Sequence, residues 1–258
     1  MTATPVHIAS RSNPLLVRVR RLVRDGSAYR RLGALWLEGE HLCAAAAERG
    51  MPVEQALLTE SAWADPRRRA LAISAARLAV VPDALFADLS GLGSPADIGF
   101  VLALPQPARP RADVDTVVLD RVQDAGNVGS ILRSAAALGV RQVLAIEGTA
   151  ALWSPKVLRA AMGAHFSLAL AEGLRESEVL ALGLALVGTS SHGAQPLPVA
   201  GLPQPAAWLF GHEGQGASPA LLSACSAVVG IPQPGGQESL NVAAAAAICL
   251  YEALRRRQ

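Results

Sequence analysis

The sequence predicts an α/β protein in two parts: a small α/β half and, after a linker, a parallel sheet covered by helices on both faces. Three observations predict it. From Thr116 onward, short apolar runs that end in glycine or polar residues alternate with helical stretches. Between the parts lies LPQPARPRADVD, Leu104 to Asp115, whose prolines suit neither a helix interior nor a central strand. The composition, 51% hydrophobic and 17% charged over 258 residues, supports a sizeable core and excludes a disordered chain. The expected organisation is residues 1–104, a linker at 105–113, and residues 114–258.

In the first part, Leu35–Leu37 and Gln55–Thr59 read as strands, GEHLCAAAAERG as a helix ended by Gly50, and DPRRRALAISAARLAVVP as a helix followed by a strand. Ahead of them, SRSNPLLVRVRRLVRDGSAYRR holds seven arginines against one acid, Asp25, in a chain with a single lysine, Lys156. A solvated helix face accounts for such a run, and so does a surface for phosphate, which guanidinium forks suit. In the second part, Thr116–Asp120 is a buried strand and VGSILRSAAALG a helix, with Asn127 as its N-cap and Gly139 as its stop. VRQVLAI completes a βαβ unit. SPKVLRAAMGAHF opens a helix with Ser154 as cap and Pro155 in the first turn. LALVGTSS, AAWLFGHE and AVVGIPQ are three further strands, and a last helix is expected over Ser239–Leu254.

Several function classes are excluded. There is no Gly-Lys-Ser or Gly-Lys-Thr phosphate loop, and GLGSPADIG does not lead a clear strand into a helix as a dinucleotide site requires. His7, His41, His165, His192 and His212 are isolated and read as structural or surface residues. The three cysteines, Cys43, Cys225 and Cys249, form neither a metal pair nor a disulfide framework and read as buried thiols. No metal site is expected. The apolar runs fall well short of the ~20 residues of a membrane span, and the N-terminus has no apolar signal core, so a cytoplasmic protein without a membrane association is expected.

Three strand ends carry the chemistry: DAGNVGSILR, FGHEGQG and IPQPGGQESLN. Strand ends of a parallel sheet are where ligands bind, and glycines there let a ligand approach the backbone. Arg133 projects from the first turns of an otherwise apolar helix. It either pairs with an acid such as Asp124 or Glu213, or serves an anion in the cleft.

These segments resemble the motifs of the SpoU branch of the SPOUT RNA methyltransferases, the TrmH family. NVGSILR matches the first motif at Asn127, Gly129 and Arg133; FGHEGQG matches the second at Gly211, Glu213 and Gly216; IPQPGGQESLNV matches the third at Ile231, Pro232, Ser239, Leu240 and Asn241. RSNPLLVRVRRL and LWLEGEHL resemble the accessory RNA-binding domain, so the resemblance spans nearly the whole chain. It implies a SPOUT domain with a C-terminal trefoil knot, S-adenosyl-L-methionine as cofactor, a homodimer, and methylation of a ribose 2′-hydroxyl in structured RNA, ribosomal ahead of transfer RNA. The catalytic set it implies is Arg133, Asn127, Glu213, Ser239 and Asn241; the cofactor set is Thr189, Gly211, Ile231 and Leu240; RNA falls to Arg11, Arg18, Arg21, Arg31 and Arg159. Glu213 either orients the Arg133 guanidinium by a bidentate pair or closes a loop. The sequence departs from the family pattern at Ala125, where proline is frequent, and at Ala161, where serine is frequent. The alternative reading is an RNA-binding or assembly protein on the same fold without catalysis.

Overall fold

The computed structural model describes residues 4–190, 195–236 and 239–258. His192 therefore lies outside the described residues. The chain divides into two packing units. One comprises the described residues up to Gln106 together with Trp153–Phe166, and the other comprises Pro107–Leu152 and the described residues from Ser167 onward.

The first unit holds β1 (Val6–His7), α1 (Pro14–Arg24), α2 (Ala28–Leu32), β2 (Ala34–Glu38), α3 (Glu40–Glu48), β3 (Val53–Thr59), α4 (Glu60–Ala64), α5 (Pro66–Ala72), β4 (Leu78–Val81), α6 (Asp83–Ala87) and β5 (Ile98–Ala103). The strands form one sheet in the order β1-β4-β3-β5-β2, with β5 antiparallel to both neighbours. α1 buries Leu16, Val19 and Leu22 on one stripe and turns its arginines outward; Asn13 caps it and Pro14 occupies the first turn. The sequence reading missed β5, because Gly99 interrupts it. That glycine is required by packing: a Cβ there would come within 2.3 Å of the Trp36 ring, so β2 and β5 pair only with hydrogen at this position.

The second unit carries β6 (Thr116–Asp120), α7 (Ala125–Ala137) and β7 (Gln142–Ile146). The helix that follows in sequence, α8 (Pro155–Ala161), packs on β2 of the first unit. Ser154 caps it as expected, accepting from the Val157 amide. Behind it Gly163 approaches α3 so closely that a Cβ would stand 2.5 Å from the Ala45 Cβ. The second unit resumes with β8 (Ala169–Leu174), α9 (Glu176–Ala181), β9 (Leu186–Thr189), β10 (Gln195–Pro196), β11 (Ala207–Gly211), α10 (Pro219–Ser223), β12 (Ala227–Gly230) and α11 (Val242–Arg255).

Its seven strands run in the order β10-β12-β9-β11-β6-β7-β8, and every pairing is parallel. This is the parallel sheet that the apolar strands predicted. On one face Val118, Leu144, Ala207 and Leu209 pack with Val179 of α9 and Leu221 of α10. α11 lies against α7 and β11. No described helix is long and apolar enough to cross a membrane.

Candidate active site

In the register of the sheet, Gly211 at the end of β11 lies opposite Asp120 at the end of β6. β9 lies on the other side of β11, and Thr189 at its end pairs with Val229 of β12. The carboxyl ends of β6, β11, β9 and β12 thus stand in one row. The loops that leave them are the three segments singled out from the sequence.

The loop after β6 enters α7 one turn earlier than the sequence reading placed it. Asp124, not Asn127, is the N-cap: its Oδ1 accepts from the Asn127 backbone N–H at 2.8 Å. Asn127 becomes the third residue of the helix, which frees its side-chain amide. That amide donates from Nδ2 to Glu213 Oε1 at 3.0 Å and accepts at Oδ1 from Asn241 Nδ2 at 2.9 Å. The Asn241 Oδ1 in turn accepts from the Ala243 and Ala244 backbone amides at 2.9 and 3.3 Å and caps α11. One polarised chain of hydrogen bonds therefore links the second-motif carboxylate, the first-motif helix and the third-motif helix. α11 begins at Val242 rather than at Ser239, because Asn241 supplies the cap. Ser239 and Leu240 precede the helix and are exposed.

Glu213 also accepts from the Gln123 and Asp124 backbone amides, each at 3.1 Å. Partial burial pushes its carboxyl up. The bonds from Asn127, from its own amide and from Gln123 and Asp124 outweigh that and hold it below the ordinary value. The Glu213 carboxylate is thus committed to the start of α7. Arg133 is exposed on the same helix, and among the described residues its guanidinium makes no ion pair or hydrogen bond. The pairing of Arg133 with Glu213 or Asp124 that the sequence allowed is absent in this arrangement.

The turn that carries Glu213 is closed by its own backbone. His212 and Gly216 exchange N–H···O bonds at 3.1 and 2.8 Å, and His212 Nδ1 accepts from the Gly214 and Gln215 amides at 3.0 and 3.2 Å. The turn folds back so far that a Cβ at Gly211 would lie 2.1 Å from the Ala217 nitrogen. That position admits only glycine. The Thr189 hydroxyl donates to the Leu209 carbonyl at 3.2 Å. Ile231 follows β12, and in the same loop Gln233 Oε1 is buried without a partner among the described residues.

Two groups in this region went unread in the sequence. Asp120, buried at the end of β6, takes a two-pronged contact from Arg121, through Nε at 2.8 Å and Nη2 at 3.1 Å, and a backbone N–H from Ser218 at 2.6 Å. His212, for which the sequence allows a structural or a surface role, has the structural one: it organises the turn. The available signal was an acid closing the buried run TVVLD, with arginine directly after it.

The five arginines assigned to RNA all lie in the first unit. Arg11 pairs with Asp88, Arg18 with Glu54 and Arg31 with Asp25. Arg21 is exposed at the end of α1, and its guanidinium has no partner among the described residues; the same holds for Arg24, which the sequence reading did not single out. Arg159 is half-buried on α8. The cysteines are free thiols: burial pushes Cys43 well up and Cys249 to about 12, while Cys225 is half-buried. Among the described residues no group of three or more His, Cys, Asp or Glu side chains is placed to hold a metal.

Known proteins match this arrangement. An uncharacterized tRNA/rRNA methyltransferase of Synechocystis is 32% identical over 99% of this chain and 96% of its own length. The 23S rRNA (uridine(2479)-2′-O)-methyltransferase of Streptomyces viridochromogenes is 32% identical over 88% of this chain and 84% of its own. The crystal structure of the SpoU methyltransferase AviRb from Streptomyces viridochromogenes, in complex with the cofactor AdoMet, superposes with a TM-score of 0.85 at 29% identity, covering 95% of this chain and 98% of that one. The SpoU rRNA methylase family profile matches residues 115–251. With more than half of the chain inside that profile, the three motif loops meeting at one sheet edge and a full-length relative at 32% identity, the chain belongs to the SpoU rRNA methylase family.

Proposed function

We propose that this protein transfers the methyl group of S-adenosylmethionine to a ribose 2′-hydroxyl of structured RNA, ribosomal ahead of transfer RNA. The observation that carries the reading is the Glu213–Asn127–Asn241 hydrogen-bond chain, which ties the three motif loops into one site beside the unpaired Arg133. The relative named for 23S rRNA and the neighbour solved with AdoMet support the substrate and the cofactor.

The residues present fit the cofactor. The partnerless Gln233 oxygen suits a ligand that carries N–H donors, and Gly235 leaves open space, with nothing within 4 Å of where its Cβ would be. Thr189, Gly211, Ile231 and Leu240, at the ends of β9, β11 and β12 and the entry to α11, would hold it. When bound, S-adenosylmethionine supplies an electrophilic methyl group. The chain's own residues then have three tasks. A guanidinium is a poor base, so the hydroxyl proton leaves to solvent water rather than to Arg133; exposed and uncommitted, Arg133 grips an RNA phosphate and stabilises the developing alkoxide. The amide chain from Glu213 fixes the mouth of α11, where exposed Ser239 and Asn241 face the reacting hydroxyl. Glu213 acts on Asn127 rather than on Arg133.

The first unit, with Arg21 free on α1 and Arg11, Arg18, Arg31 and Arg159 in the same unit, gives RNA affinity through phosphate contacts. A homodimer completes the site. Its support is the outer face of α11, where Ala244, Ile248 and Tyr251 recur at helical spacing and Ile248 and Tyr251 are 41% and 59% exposed. The return of the chain end onto α7 and β11, past the loop after β12, supports a trefoil knot in this region. The cytoplasm, where RNA is processed, is the compartment that fits.

The test is a map of ribose methylation in total RNA from cells with and without the gene, joined to calorimetric titration of the protein with S-adenosylmethionine. One 2′-O-methyl mark missing from ribosomal RNA and restored by the gene is expected. Cofactor binding without any missing mark in any RNA would return the protein to the assembly reading.

A further inference from the structure

Arg121 stands outside the motif residues and is held in an unusual way. It has φ +56°, in the left-handed region, which costs a branched or long side chain free energy that glycine avoids. Its side chain folds back over the preceding residue, across Gly148, where a Cβ would press to 3.1 Å of the Arg121 Cγ. Two of its nitrogens grip the Asp120 carboxylate, whose side chain is 1% exposed, while the arginine side chain remains 33% exposed. Its Nη1 is left to donate, and it reaches across to Gln215 Oε1 at 3.1 Å. Gln215 belongs to the turn that carries Glu213, and the amide of Ser218, just past that turn, donates to the same Asp120.

We infer that Arg121 is a positioning residue for methyl transfer: anchored on Asp120, it tethers Gln215 and so fixes the turn whose Glu213 orients Asn127 and Asn241. The inference rests on the methyl-transfer reading and extends it to a residue outside the motifs. The turn is held from two sides. Glu213 bonds inward to Gln123, Asp124 and Asn127, and Arg121 and Asp120 bond at Gln215 and Ser218. With the second set absent, the exposed turn keeps its own His212 closure and swings as a unit, and the Glu213 carboxylate loses its register with Asn127.

The contrast to be tested is a purely local role, in which Arg121 only neutralises the buried Asp120. Gln215→Ala leaves that neutralisation intact and removes the tether. Gln215→Glu keeps an acceptor at the same place. The double variant Asp120→Asn with Arg121→Gly removes the buried charge, its partner and the left-handed arginine together, while the asparagine oxygen still accepts from Ser218. Full-length proteins are compared by thermal midpoint, calorimetry with S-adenosylmethionine, hydrogen exchange of the 212–218 amides, and single-turnover transfer to total RNA from cells lacking the gene. Gln215→Ala and the double variant should melt near the wild type, exchange the turn amides faster, and transfer about tenfold more slowly, as loss of one charge-assisted bond implies. Gln215→Glu should restore both rate and protection. A Gln215→Ala protein with wild-type exchange and rate overturns the inference. Wild-type protein that transfers no methyl to any RNA sinks the methyl-transfer reading instead; turn exchange then decides the tether alone, faster in Gln215→Ala if Arg121 holds it and unchanged if it does not.

Discussion

Replacing Asn127 by aspartate changes one atom of the site and reverses one interaction. The Asn127 Nδ2 now donates to Glu213 Oε1 at 3.0 Å. Asn127→Asp puts a carboxylate oxygen there, while the acceptor for Asn241 is preserved. The lost hydrogen bond is worth about 1 kcal/mol. Two like charges 3.0 Å apart repel by about 1.4 kcal/mol with the screening of water, the value suited to an exposed glutamate. The sum, about 2–2.5 kcal/mol, corresponds to a fall in Tm of roughly 4–10 °C for a chain of this size.

The two contributions separate by pH. In the wild type the Glu213 carboxyl lies below its ordinary 4.5; its contribution is full above that value and is lost as pH falls through the lower folded one. In Asn127→Asp the like charge beside it pushes the Glu213 carboxyl up. The deficit is therefore present at neutral pH and shrinks as the pH falls far enough for the pair to take up a proton. Scanning calorimetry at pH 8 and pH 5, with Asn127→Ala as the uncharged control, measures both parts. Asn127→Asp should melt well below the wild type at pH 8, and its Tm should rise relative to that of Asn127→Ala, which loses the Asn241 acceptor as well, as the pH falls from 8 to 5. A difference between the two variants that is the same at both pH values, or an Asn127→Asp protein that melts like wild type at pH 8, would refute the chain as described.

Further outcomes follow from the same geometry. Arg133→Ala should fold, melt near the wild type and bind S-adenosylmethionine, since no described group pairs with it, yet transfer methyl about a hundredfold or more slowly; Arg133→Lys should rescue poorly, as single-turnover rates on the same preparations would show. Gly211→Ala, whose Cβ would lie 2.1 Å from the Ala217 nitrogen, should lose most soluble expression, whereas Gly235→Ala, with open space around it, should melt like the wild type. Ile248→Asp with Tyr251→Asp on the exposed face of α11 should give a monomer by sedimentation, and with it a loss of transfer; a fully active monomer would contradict the shared site.

Much of this fold was legible because parallel strands buried on both faces are written as near-continuous apolar runs, and TVVLD, QVLAI and AWLFG are built around such runs. β5 was not, since the glycine that makes room for Trp36 looks like a breaker until its partner strand is known. At the site, motif positions marked which residues meet, and Asn127, Glu213 and Asn241 do meet. Their partnerships were not legible. Which of Asp124 and Asn127 caps α7 is a local choice between two good capping residues, and it decides whether Asn127 is spent on its own helix or free for Glu213. The same choice leaves Arg133 without the acid the sequence offered it. Asp120 and Arg121 read as the end of a strand and the start of a turn, because a left-handed arginine leaves no mark on composition or periodicity.

The placement of α8 bears on how such a protein can be taken apart. Its buried residues Val157, Leu158 and Ala161 find their partners in the unit formed by the chain's beginning, although they lie between β7 and β8 of the other. The polypeptide therefore enters the first unit twice, and no single cut separates the two. A fragment beginning at the proline-rich linker carries an apolar helix with nothing to cover it, and a fragment ending there lacks a piece of its own core. Exchange of RNA-recognition halves between relatives, by recombination in evolution or by design at the bench, would have to move Trp153–Phe166 along with the N-terminal half.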